Sequence, residues 1–118
     1  MSEFLLLYRS TNEAHQSVMG SPEKARETMA KWRVWFDDMT AKGQLRNMGL
    51  PLQRTGRVVR GPGSSVTDGP YAETKEVVGG FSIIEARDAT HAAEIASACP
   101  IVALGGSVEV RPVMALPD

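Results

Sequence analysis

Asp68-Gly69-Pro70-Tyr71-Ala72-Glu73-Thr74-Lys75-Glu76 runs directly into Val77-Val78-Gly79-Gly80-Phe81-Ser82-Ile83-Ile84. The stretch joins a rigid turn to a cluster of alternating charges and then to a buried strand. In such a turn an Asp bonds its own backbone two residues on, Gly accepts positive φ, and Pro fixes the exit direction. The strand that follows extends over Val77 to Ala86. Beyond it, Asp88 caps a helix over Ala89 to Ala98, whose small face (Ala89, Ala92, Ala93, Ala96) lets it lie close to a sheet, and Pro100 stops it. Ser107 to Val113 alternates Val108 and Val110 against Glu109 and Arg111, a last strand with one wetter face.

Upstream, Phe4-Leu5-Leu6-Leu7-Tyr8 is a first strand that is apolar on both sides, so both of its faces need cover. Thr11 to Met19 is polar and mixed and reads as a loop. Ser21-Pro22-Glu23 then supplies an N-cap, a proline at the first helical position and an acid near the positive helix end. Ala25, Met29, Trp32, Phe36 and Met39 recur at the period of one helix face, with Thr28 and Trp35 widening the stripe and Gly43 as the cap at its end. That stripe reads as core. Gln44 to Leu50 is a second strand ended by Pro51, and Thr55 to Arg60 with Ser64 to Thr67 flanks Gly61-Pro62-Gly63 as a hairpin.

The segment from Asp68 through Ile84 resembles the signature of the DGPF family, a branch of the YCII-related proteins, with Tyr71 where that family usually has Phe. Gly105-Gly106-Ser107-Val108-Glu109-Val110-Arg111-Pro112-Val113 is similar to the family's closing strand, so the likeness spans nearly the whole chain. The element order is β, α, β, hairpin, β, α, β. Without the hairpin this is the ferredoxin-like βαββαβ plan, an α+β fold with an antiparallel sheet and both helices on one face. Two helices leave the other face bare. Pairing two sheets face to face covers it, and the resemblance implies that arrangement, a dimeric α+β barrel.

With 118 residues, 42% of them hydrophobic and 23% charged, the chain accommodates one core and a single domain over residues 1–118. A net charge of -1 gives no broad attraction for nucleic acid or anionic membrane. One cysteine, Cys99, excludes an internal disulfide framework and agrees with a reducing compartment. The apolar run at Phe4 to Tyr8 is too short for a signal core and no stretch approaches membrane-spanning length, so the expected location is cytoplasmic.

Asp68 carries two readings: a turn former, or a general base at a cleft rim. Glu73, Thr74, Lys75 and Glu76 form either a solvated rim or, through Glu73 and Lys75, contacts to a polar ligand. Tyr71 and Tyr8 each offer a ring and a hydroxyl, suited to packing or to a pocket wall. His15 stands in the segment before the long helix. The resemblance implies that some YCII-related proteins use a His and Asp pair, with the His near the start of the first helix; here Ser21-Pro22-Glu23-Lys24-Ala25 contains none. His91 reads as a helix residue. Neither histidine has a partner at a metal-ligand spacing, and no glycine pair opens a nucleotide fingerprint, so no metal and no cofactor are expected. Cys99 reads as a structural thiol, and Arg54, Arg57 and Arg60 as solubilising charges along a hairpin.

These residues predict a pocket bordered by Tyr8 and Arg9, the segment holding His15, and Asp68, Tyr71, Glu73 and Lys75. Asp68 and His15 are its acid-base candidates, and the others its ligand contacts. Two function classes follow. One is a small-molecule-binding or regulatory homodimer, for which the resemblance implies a sigma-factor partner of the extracytoplasmic-function type. The other is a cofactor-independent lyase or isomerase acting on a small polar or aromatic molecule.

Overall fold

The structure, a computed structural model, describes residues 1–70 and 75–117. Its elements are β1 (Ser2–Thr11), α1 (Asn12–Met19), α2 (Pro22–Ala41), β2 (Leu45–Asn47), β3 (Gly56–Arg60), β4 (Ser65–Gly69), β5 (Glu76–Ala86), α3 (Ala89–Ser97), α4 (Pro100–Ala103) and β6 (Ser107–Pro112). Four strands form one antiparallel sheet in the order β2-β5-β1-β6, and β3 pairs with β4 as a separate hairpin. With the hairpin set aside, this is the strand order of a ferredoxin-like α+β fold.

The alternation of β1 decides the layering. Phe4, Leu6, Tyr8 and Ser10 are buried while Leu5, Leu7, Arg9 and Thr11 are half-exposed. The buried face meets Trp35 and Met39 of α2 and Ala92 and Ala96 of α3, with Ile84 and Ala86 of β5 beside it. Small residues on α3 let that helix sit close, and the Trp35 indole N–H donates to the Ile95 carbonyl at 3.3 Å, tying α2 to α3. The described chain is only 19 Å deep along its shortest axis, about one sheet and one helix layer. Among the described residues no helix contributes to the face bearing Leu5, Leu7, Phe81 and Ile83, which ion pairs border: Arg46 with Glu3 and Glu85 at one edge, Arg9–Glu109–Arg111 at the other.

Four local expectations are corrected. Thr11 to Met19 is not a loop, because the Thr11 hydroxyl accepts the Ala14 N–H at 3.0 Å and starts α1. A strand residue thus doubles as an N-cap. Pro100 does stop α3, but it also opens α4, where a missing N–H costs nothing. Asp68 and Gly69 are not in a turn: they end β4, opposite Arg57 and Gly56. A Cβ at 69 would stand 2.8 Å from Val58 Cγ2, so any larger residue there requires the Val58 side chain to shift. Finally, the stripe of α2 divides between two surroundings. Trp35 and Met39 enter the core, whereas Met29 is 57% exposed and faces the cleft described next.

Candidate functional site

The cleft lies on the helix side of the sheet, between α1, α2 and the segment after β2, and encloses about 520 Å³. Its apolar wall is the α2 face that sequence periodicity assigns to core: Met29, Trp32 and Phe36. Trp32 stands edge-on to Tyr8 with centroids 4.8 Å apart, and Phe36 stacks at a tilt 5.7 Å from Trp32. Around the mouth, Met19, Met48, Leu50 and Leu52 are exposed by 46% to 65%. Flexible, polarisable Met side chains suit a surface that adapts to varied apolar shapes.

The opposite wall is the segment Met48 to Arg54, which is fastened to β5. Ser82 Oγ donates to the Met48 carbonyl at 2.7 Å, Leu52 N–H donates to the Gly79 carbonyl at 2.8 Å, and Pro51 bridges to Gly80. Gly80 eases this approach, because a Cβ there would crowd the Leu50 carbonyl at 3.2 Å, and Gly79 leaves room for Arg54, whose Nη1 would lie 3.3 Å from a Cβ. Gly49, at φ +72°, passes closer still: a Cβ there would overlap the Phe81 carbonyl oxygen.

Polar groups gather at the α1 end. The Arg54 guanidinium lies against Gly79 and donates to Asn12 Oδ1 at 3.0 Å, Ser10 Oγ at 3.1 Å and the Ser10 carbonyl at 2.7 Å. His15 lines the same end from α1. Partial burial, then the charge of Arg54, hold its pKa below the ordinary imidazole value. The Tyr8 ring closes the floor, and its hydroxyl donates to Ser82 Oγ at 2.7 Å. Burial drives that phenol's pKa far upward despite the serine.

The sequence-predicted residues therefore separate. Tyr8 and His15 meet in the cleft. Arg9 points to the other sheet face and donates to Glu109 at 2.7 Å; Arg9, then Arg111, hold that carboxyl below its usual range. Asp68 sits on the hairpin, its side chain 94% exposed and 3.7 Å from Arg57. Lys75 is exposed just before β5. Neither of these two lines the cleft. Tyr71 and Glu73 lie outside the described residues. His91 is engaged locally, its Nδ1 accepting the Arg87 N–H at 3.0 Å in this tautomer. Burial pushes the Cys99 thiol up to about 12. Among the described residues no three His, Cys, Asp or Glu groups converge as a metal site, and no helix is long and apolar enough to cross a membrane.

Arg54 is the residue that sequence reading assigns elsewhere. Its spacing with Arg57 and Arg60 suggests one solubilising run, yet Arg54 turns inward while Arg57 stays on the hairpin. Its partners are 42 and 44 residues away in sequence, so no local pattern announces them.

The sheet order, the inserted hairpin and the match of residues 3–117 to the YCII-related domain agree. The chain belongs to the YCII-related family. No curated protein matches it. Within this YCII-related chain, the cleft at the junction of β1 and α1 is the concavity that joins apolar walls to convergent polar groups.

Proposed function

We propose that this YCII-related protein binds a small, mainly apolar ligand in the cleft and does so as a homodimer. The observation that carries the reading is the wall of Met29, Trp32 and Phe36 facing exposed Leu50 and Leu52 across about 520 Å³, the size and lining of small-molecule pockets. Water-exposed apolar side chains clustered around a concavity favour an apolar occupant. The homodimer rests on Leu5, Leu7, Phe81 and Ile83, an apolar strip bordered by ion pairs on the face away from the helices. A second copy placed face to face would cover it symmetrically.

Nile red, an uncharged solvatochromic dye, tests the cleft. We expect saturable fluorescence enhancement with one site per chain. Met29→Lys together with Leu50→Lys, both at exposed positions, should abolish it without lowering the melting temperature; unchanged binding by that variant refutes the site. Light scattering tests the assembly. Twice the chain mass is expected for the natural sequence and a single chain mass for Leu7→Glu, and a folded monomer of the natural sequence refutes the dimer.

A second reading, acid-base chemistry on the same ligand, is favoured by His15. Its lowered pKa leaves it an unprotonated base at neutral pH beside a cation that can orient an anion. Hydrogen exchange at the carbon next to a bound carboxylate, followed in deuterium oxide, tests it. Exchange lost in His15→Gln supports catalysis, and no exchange in any saturated ligand leaves a binding protein.

A further inference from the structure

Among the described residues, Arg54 is a cation held in place without an anion. A guanidinium carries one N–H on Nε and two on each terminal nitrogen. Nε is taken by Asn12, one Nη1 proton by Ser10 Oγ and one Nη2 proton by the Ser10 carbonyl. That leaves one N–H on each terminal nitrogen; because both Ser10 acceptors belong to one residue they take the parallel inner pair, so the two free N–H groups diverge and each can donate singly to a carboxylate oxygen. No carboxylate among the described residues lies within ion-pair distance of Arg54. The side chain is fixed by neutral acceptors alone, so its orientation is already set before an anion arrives, which reduces the ordering cost of binding.

The other charged groups lining the cleft are Arg33 and Asp37, one turn apart on α2 and opposite in sign. They offset each other, and His15 is neutral near pH 7, so the described lining of the cleft holds one uncompensated positive charge. That number argues for a monoanion over a phosphate or dicarboxylate. Across from the guanidinium lie Trp32, Phe36 and Met29, suited to a flat or branched apolar body.

We infer, resting on the cleft reading above, that the ligand is an apolar monocarboxylic acid whose carboxylate pairs with Arg54 and whose hydrocarbon or aromatic part lies against Trp32 and Phe36. Arg54 is then the residue that selects acids over their neutral analogues.

Calorimetric titration with para-butylbenzoate and para-butylbenzamide separates charge recognition from apolar filling. The acid is expected to bind at least about tenfold more tightly than the amide, the scale of a single charge-assisted hydrogen bond. In Arg54→Met the preference should fall to within about twofold while the amide still binds. Because Arg54 also fastens the cleft wall to Ser10 and Asn12, the natural protein provides a second readout. The Arg54 guanidinium proton resonances, assigned with Arg54→Lys, should shift with the acid and not with the amide. Equal affinities, or no acid-specific shift of those protons, overturn the carboxylate assignment and leave the apolar cleft standing. Binding of neither compound overturns both.

Discussion

Ser82 links three elements through one hydroxyl, and its removal should cost more than removal of the tyrosine hydroxyl it serves. Ser82 is fully buried and Tyr8 is 6% exposed. The chain runs from Tyr8 OH to Ser82 Oγ to the Met48 carbonyl, each step 2.7 Å. Ser82→Ala strands a buried phenol donor, at about 1–3 kcal/mol, and removes the donor from a part-buried carbonyl, at about 0.5–1 kcal/mol. The expected loss is about 1.5–4 kcal/mol. Tyr8→Phe leaves Ser82 still donating to Met48 and removes one bond, a loss of about 0.5–1.5 kcal/mol. In the double variant no phenol is stranded, so its loss should fall below the sum of the singles by at least about 1 kcal/mol. Urea unfolding at one protein concentration, followed by tryptophan fluorescence, measures all three, with Trp32 4.8 Å from Tyr8 as the reporter. Additive losses, or a Tyr8→Phe cost equal to that of Ser82→Ala, would refute the proposed chain of bonds.

Glycine substitution should discriminate between two loops. Gly49→Ala combines φ +72° with overlap of the Phe81 carbonyl and is expected to cost more than about 3 kcal/mol. Gly63→Ala, at φ +91° but in open space, should cost only about 1 kcal/mol; equal melting of the two variants contradicts the close approach. Cys99, 2% exposed with its thiol raised by burial, should resist iodoacetamide in the native protein at pH 8 and react fully in urea. Rapid native alkylation would show an open site. The His15 ring, followed by proton NMR, should titrate below its ordinary value of 6.5. Since the unfolded chain protonates first, its contribution should lower stability as pH falls from about 6.5 through the depressed native value and be flat above. A native value at or above the ordinary one would remove the influence of Arg54.

What the sequence disclosed divides by distance along the chain. The two-sided apolar run of Phe4 to Tyr8 and the Ser21-Pro22 start of α2 are local patterns, and the structure keeps both. α1 was hidden because its apolar face, Ala14, Val18 and Met19, is short and its cap, Thr11, also ends a strand. In α2, periodicity marks which residues avoid water but is silent on whether a sheet or a cavity excludes it. Trp35 and Trp32 share one stripe, yet of the two only Trp35 is buried while Trp32 forms the cleft wall.

The same limit explains why the conspicuous charged segment did not point to the cleft and an ordinary arginine did. Asp68 and Lys75 are visible as a cluster because neighbours in sequence reinforce them, but solvent already satisfies a side chain that is 94% exposed, and such pairs contribute about 0–1 kcal/mol. Arg54 reads in sequence as one more charge of the run with Arg57 and Arg60 and is given its environment by the fold: Gly79 provides the space, Ser10 and Asn12 the acceptors, and the junction of β1 with α1 brings His15 alongside. A charge held by neutral partners beside an apolar wall keeps its pairing capacity for whatever enters, whereas a charge already in water has little to gain from a ligand.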